Sequence, residues 1–174
     1  MFTAKRVLGS AISLMVILSV GFISMADAQG EKEFGKEQRL TKKDLPASII
    51  TAFQKQYPNA KIKEVGKEVE DSTTYYELET TEGKAVRTLI YIGDGRITEI
   101  EEVILSKQLP DSAQASIAKD YPKGKVEAAE KVNKGDKTTY EVKIENGNEN
   151  IEAVFDSNGK LINMEKMKGE EDND

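Results

Sequence analysis

Carboxylates dominate the residues that could do chemistry. Glu77 and Glu79, followed by Glu99, Glu101 and Glu102, make two acidic stretches that alternate with apolar residues. Two carboxylates about 5–10 Å apart across a cleft can cleave a glycosidic bond, and several converging oxygens can hold a hard cation. Alternating glutamates more commonly mark the wet face of a half-buried strand. Ser116-Ile117-Ala118-Lys119 has the Ser-x-x-Lys spacing of serine penicillin-recognising enzymes, where a Lys one helical turn away activates the nucleophile. The further motifs that chemistry needs are missing, so an ordinary helix with an exposed Ser and Lys is expected. Asp156-Ser157-Asn158-Gly159 starts like a calcium loop, but an EF-hand needs its Gly at the sixth position and Gly159 is the fourth. A hairpin turn accounts for those four residues.

The chain has no His and no Cys. That removes imidazole acid–base catalysis, Ser-His and Cys-His nucleophiles, and His or Cys metal ligation. No enzymatic activity, cofactor or metal is expected. The net charge is −6, and the sign disfavours nucleic acid and anionic lipid surfaces, which require a basic face.

Positioning elements come from a repeat. Leu45-Pro46 recurs as Leu109-Pro110, Tyr57-Pro58 as Tyr121-Pro122, and Tyr76-Glu77-Leu78 as Tyr140-Glu141-Val142. Gly83 recurs as Gly147, and Asp94-Gly95-Arg96-Ile97 as Asn158-Gly159-Lys160-Leu161. The offset is always 64 residues, which means one structural unit used twice. Leu45, Ile49, Ile50, Phe53 and Tyr57 fall on one helical face, as do Leu109, Ala113, Ile117 and Tyr121. Pro58 and Pro122 end these helices. Four strands follow the first, near 61–69, 73–80, 85–92 and 96–104. Short turns built on Asp71-Ser72, Glu82-Gly83 and Asp94-Gly95 connect them, with counterparts at Gly135-Asp136, Asn146-Gly147 and Asn158-Gly159. The fold class is therefore α+β: two tandem repeats, each one helix packed on a four-stranded antiparallel meander.

The chain divides as follows. Lys5 and Arg6, the apolar run to Ile23 and the Ala26-Asp27-Ala28 site predict a signal peptide over 1–28. Its removal takes away Lys5, Arg6 and Asp27 and leaves the chain one charge more negative. A flexible arm is expected over 29–44, the repeats over 45–104 and 105–167, and an acidic disordered tail over 168–174. The cleaved protein is expected to be periplasmic or secreted, without membrane attachment.

The Leu-Pro, amphipathic helix, Tyr-Pro, Tyr-Glu-Val-type strand and Asp/Asn-Gly order resembles the PepSY-like, beta-lactamase-inhibitor-like family of exported bacterial proteins. The resemblance spans Leu45 to about Met167. It implies a non-enzymatic domain that binds or inhibits a secreted hydrolase. Tyr75, Ile90, Ile92 and Val154 fall on the sheet face away from the helices and form the candidate partner-binding face, with Glu77 and Glu79 at its rim. The expected partner is a protein. The alternative is an envelope ligand- or cation-sensing domain that uses the acidic strands. Oligomeric state stays open.

Overall fold

The structure, a computed structural model, describes residues 38–168. The expected signal peptide, most of the expected arm and the tail beyond Lys168 lie outside the described residues.

Among the described residues nine strands form one antiparallel sheet in sequence order. They are β1 (Gln38–Leu40), β2 (Lys61–Glu70), β3 (Thr73–Glu82), β4 (Ala85–Ile92), β5 (Ile97–Val103), β6 (Lys125–Lys134), β7 (Lys137–Asn146), β8 (Glu149–Asp156) and β9 (Leu161–Lys168). The helices are α1 (Ala47–Gln56) and α2 (Asp111–Asp120). Each element from α1 to β5 begins again 64 residues later, so the sequence repeat is a repeat of elements.

Two features go beyond the expectation of two four-stranded meanders, which left open whether their sheets join. First, β5 pairs with β6 from Glu99↔Lys134 to Val103↔Glu130, which joins the two halves into a single sheet. Second, Gln38–Leu40, at the end of the segment expected to be flexible, is a strand paired with Val65–Lys67 of β2. Just after it, Asp44 Oδ2 accepts from the Thr41 backbone N–H at 2.8 Å and closes a 3₁₀ turn. Gln108 Oε1 does the same for the Leu105 N–H at 2.9 Å. The repeated unit therefore starts four residues earlier than Leu45.

Pro46 and Pro110 sit at the helix N-caps, where a missing N–H costs nothing. Leu45, Ile49 and Phe53 pack on Val65, Leu78, Leu89 and Tyr91. Leu109, Ala113 and Ile117 pack on Ala129, Val142, Ile144, Ile151, Ala153 and Phe155. The register places both cores on one side of the sheet. Leu78, Leu89 and Ile100 lie in one row across β3, β4 and β5, and Ile100 faces Asn133. Ala129 has the same phase as Asn133 on β6 and lies under α2. One face of the sheet thus carries both helices.

Tyr57 and Tyr121 are equivalent helix C-caps, each with its N–H bonded at 2.8 Å to the carbonyl four residues back. Sequence register predicts full burial, but both rings are only half-buried. Each stands one residue beyond the last helical turn, so its ring lies at the edge of the core. Truncation should therefore cost less than the about 3–5 kcal/mol of a fully buried aromatic.

The turns differ in detail from the sequence reading. Glu82 pairs with Ala85 and Asn146 with Glu149, so the loop residues are Gly83-Lys84 and Gly147-Asn148. Asp94-Gly95 and Asn158-Gly159 lie inside longer turns, in which Gly95 N bonds Ile92 O and Gly159 N bonds Asp156 O, both at 2.9 Å. These turns dock on the helix N-termini. Ser48 Oγ donates to Gly93 O at 2.7 Å, and Ser112 Oγ donates to Asn158 O. A Cβ on Gly95 would stand 2.8 Å from Ser48 O, and one on Gly159 2.7 Å from Ala113 N. Both glycines also have positive φ, so space and backbone each demand glycine there.

Candidate functional site

The face away from the helices holds the residues singled out by sequence, but not as one patch. Tyr75 and Ile92 are register partners on β3 and β4, and both are half-buried. Glu77 pairs with Ile90, and Ile90 in turn with Glu99. Val154 sits on β8, opposite Glu141. Four strand spacings separate β4 from β8, about 19 Å at ~4.8 Å per strand. The structure therefore brings Tyr75, Ile92, Glu77, Glu79 and Ile90 together and leaves Val154 apart.

Ile90 needs a correction. It was expected to be an exposed anchor, yet only 6% of it is exposed. It lies on β4, which has neighbours on both sides, between the long side chains of Glu77 and Glu99. Val132, at 4% exposure, belongs to the same covered strip and to neither helix-side core.

Glu101 is the residue whose role sequence reasoning missed. It was read as one glutamate among several on a wet face, but it is 6% exposed. Its register partners are Thr88 on β4 and Val132 on β6. Burial pushes its carboxyl up to about 8, with the negative charges of Glu130, Glu99, Glu141 and Glu77 adding to the effect. Glu130 is also raised by burial, against the opposing pull of Lys143. Glu141, more open to solvent, is raised to about 7 by partial desolvation and then by Glu130, Glu99 and Glu152. Glu99 is held differently, by Lys134 Nζ at 3.0 Å. The signal that could have found Glu101 was its position on the last strand of one unit, but its burial depends on which strand lies beside it.

The other motifs resolve as local structure. Ser116 Oγ donates to Asp120 Oδ2 at 3.4 Å on the surface of α2. Asp156 Oδ1 accepts from the Asn158 and Lys160 backbone N–H groups at 2.8 and 2.9 Å, which is turn chemistry. Among the described residues no three acidic side chains converge in a way that could hold a metal ion. A groove of about 500 Å³ runs past Tyr57, Ile97, Ile100 and Asn133 where α1 ends near the β5–β6 junction, and it is wide open to solvent. A small-molecule site would be enclosed, with convergent polar groups.

The comparisons agree on family and fold. Residues 26–97 and 74–163 match the beta-lactamase-inhibitor-like, PepSY-like family. Among solved structures, a Bacteroides eggerthii protein described as periplasmic superposes with a TM-score of 0.61 at 14% identity, covering 71% of this chain and 90% of that one. A DUF2874 family protein from Bacteroides uniformis gives 0.59 at 18% identity, covering 70% and 88%. A BLIP-like protein from Bacteroides fragilis gives 0.57 at 18% identity, covering 75% and 92%. At these identities the likeness is one of fold. A comparison with curated proteins finds no match. No helix among the described residues is long and apolar enough to cross a membrane. Two tandem family matches, a helix over each core and one antiparallel sheet agree: the chain belongs to the beta-lactamase-inhibitor-like, PepSY-like family.

Proposed function

We propose that this chain is an exported, non-catalytic module that binds a protein through the sheet face its helices leave uncovered. In its sharpest form it inhibits a secreted or envelope hydrolase. The observation that carries the reading is the pairing of Tyr75 with Ile92, half-exposed aromatic and branched side chains held side by side on a rigid sheet. Such groups anchor interfaces because little side-chain freedom is lost when a partner covers them. Glu77 and Glu79 flank the pair on the same strand face and give the approach its charge preference. The family description and the BLIP-like neighbour supply the hydrolase as partner class.

The test is capture from an envelope extract of the source organism on immobilised protein, followed by identification of the retained chain and assay of its hydrolase activity. Tyr75→Ser and Ile92→Ser should each weaken capture by about 2 kcal/mol or more, some thirtyfold. Ile90→Ser is unsuited to this test because the residue is buried. If both variants fold and retain the same partner with unchanged affinity, binding lies elsewhere on the molecule.

A further inference from the structure

Asn-Gly occurs twice in the chain, at Asn146-Gly147 and at Asn158-Gly159. This dipeptide carries its own chemistry, because the glycine backbone nitrogen can attack the asparagine side-chain carbonyl. With no Cβ on the attacking residue, little steric bulk opposes the approach. Whether the nitrogen is free to move depends on the fold, and the two places differ.

Asn158-Gly159 is held. Gly159 N–H donates to Asp156 O at 2.9 Å, Asn158 N–H donates to Asp156 Oδ1 at 2.8 Å, and Asn158 O accepts from Ser112 Oγ. Gly159 is buried, and a Cβ on it would stand 2.7 Å from Ala113 N. Closing a ring through Gly159 N requires breaking its hydrogen bond and lifting the turn off α2. Asn146-Gly147 stands at the tip of the β7–β8 hairpin. Asn146 forms the last ladder pair with Glu149, and Gly147 begins the loop. Among the described residues, neither the Gly147 N–H nor the Asn146 side-chain amide makes a hydrogen bond. Gly147 is exposed, and a Cβ there would meet nothing within 4 Å. Ring closure here needs only the fraying of one terminal ladder pair. The first half has no such site. The counterpart of Asn146 is Glu82, which has no amide to lose and whose carboxylate is held by Arg87 Nη1 at 3.2 Å.

We propose that Asn146 is a self-modifying site, converted to aspartate and isoaspartate as the protein ages, while its docked turn preserves Asn158. Gly147 N gives its proton to solvent and bonds to Asn146 Cγ. The bond from Cγ to the amide nitrogen breaks, and the nitrogen leaves as ammonia. Water then opens the resulting succinimide. Addition at Cγ gives aspartate, and addition at the main-chain carbonyl gives isoaspartate, whose main chain is one methylene longer. Water is the sole co-reactant, and nothing is oxidised or reduced. Either product places a new carboxylate opposite Glu149, and like charges at paired positions loosen the end of the hairpin.

The test follows the full chain for several weeks in mildly alkaline buffer made with heavy-oxygen water, with peptide mapping by mass spectrometry. Each converted site carries the heavy oxygen. In the folded chain Asn146 should convert at least about tenfold faster than Asn158, which corresponds to about 1.4 kcal/mol of extra opening cost at the docked turn. In concentrated urea the two sites should convert at similar rates. Asn146→Gln, whose longer side chain does not close a five-membered ring, should leave this position unlabelled. The inference is overturned if Asn158 converts as fast as Asn146 in the folded chain. It is equally overturned if the ratio persists in urea, because local sequence rather than the fold would then set it. Conversion of Asn146 no faster than that of Asn150, which precedes Ile151, would overturn it as well. None of these measurements involves a binding partner.

Discussion

The two halves share a backbone but distribute volume and polarity differently. In the first, α1 and β4 bring large groups to the core: Ile49, Phe53, Leu89 and Tyr91. Their counterparts are Ala113, Ile117, Ala153 and Phe155. The first half also places Thr80 and Arg87 where the second has Ile144 and Ile151. Arg87 Nε holds Glu102 at 2.8 Å and its Nη1 holds Glu82 at 3.2 Å, beside the half-buried Tyr57. At the same place the second half has an aliphatic side chain and no ion pair of that kind. One frame thus tolerates either arrangement provided its turns and helix ends are kept. Those constant features, the docked glycines 95 and 159 and the bonded serines 48 and 112, are what the repeat preserves.

The comparison can be broken most forcefully at Leu89. Leu89→Ala installs the residue found at 153 but leaves the rest of the larger core unchanged. It should cost about 2–5 kcal/mol in urea unfolding, because the surrounding side chains cannot close the cavity. A cost below about 1 kcal/mol would mean the first core is as collapsible as the second.

A second contrast sets Glu101 against Glu165. The folded-state pKa of Glu101 is raised to about 8 from the ordinary 4.5, so the folded protein holds a proton that the unfolded chain releases. The associated stability is fully present below about pH 4.5 and is lost as pH rises through about 8. Melts across that range should show a decline of order 3 kcal/mol that Glu101→Gln largely removes. Glu165→Gln, on an exposed edge, should change stability by less than about 0.5 kcal/mol. A wild-type profile that is flat or rises between pH 5 and 8 would contradict the burial of Glu101.

The glycines sharpen the comparison within one half. Gly147 and Gly159 both have positive φ, but a Cβ on Gly147 meets nothing within 4 Å while one on Gly159 meets α2. Gly159→Ala should therefore cost about 1–3 kcal/mol more than Gly147→Ala, the excess being overpacking. Equal costs would show that the turn can lift off the helix freely.

The smallest effect runs the other way. Tyr91 is fully buried and its hydroxyl is the buried side-chain polar atom without a partner among the described residues. The second half has Phe155 in its place. Tyr91→Phe should raise stability by about 1 kcal/mol, the desolvation cost of an unsatisfied hydroxyl. A loss of stability would reveal a role for the oxygen that the static contacts do not show.

Much of the fold was legible because its signals are local. The Tyr-Glu-Leu and Tyr-Glu-Val alternations, the prolines flanking each helix and the glycine turns each act within a few residues, and the strands lie within two residues of where these signals put them. β1 was not legible. Gln-Arg-Leu has no pattern of its own and becomes a strand only because β2 offers an edge. The candidate face was legible in phase but not in depth. Alternation put Ile90 opposite the helices but left the phase of β5, and with it Glu101, open; β4 and β5 have neighbours on both sides, and the β5–β6 pairing joins segments about thirty residues apart with no short turn to announce it.

Among the described residues the two ends of the sheet differ. β1 covers part of the outer edge of β2, while β9 meets no further strand among the described residues. β5, the equivalent of β9, shows what its edge is shaped to accept: the leading strand of another unit of the same kind. The architecture therefore has a direction of growth. A third unit could be appended after the second and join the sheet as the second joined the first, leaving both existing cores untouched. None could be inserted ahead of β2 without first removing β1.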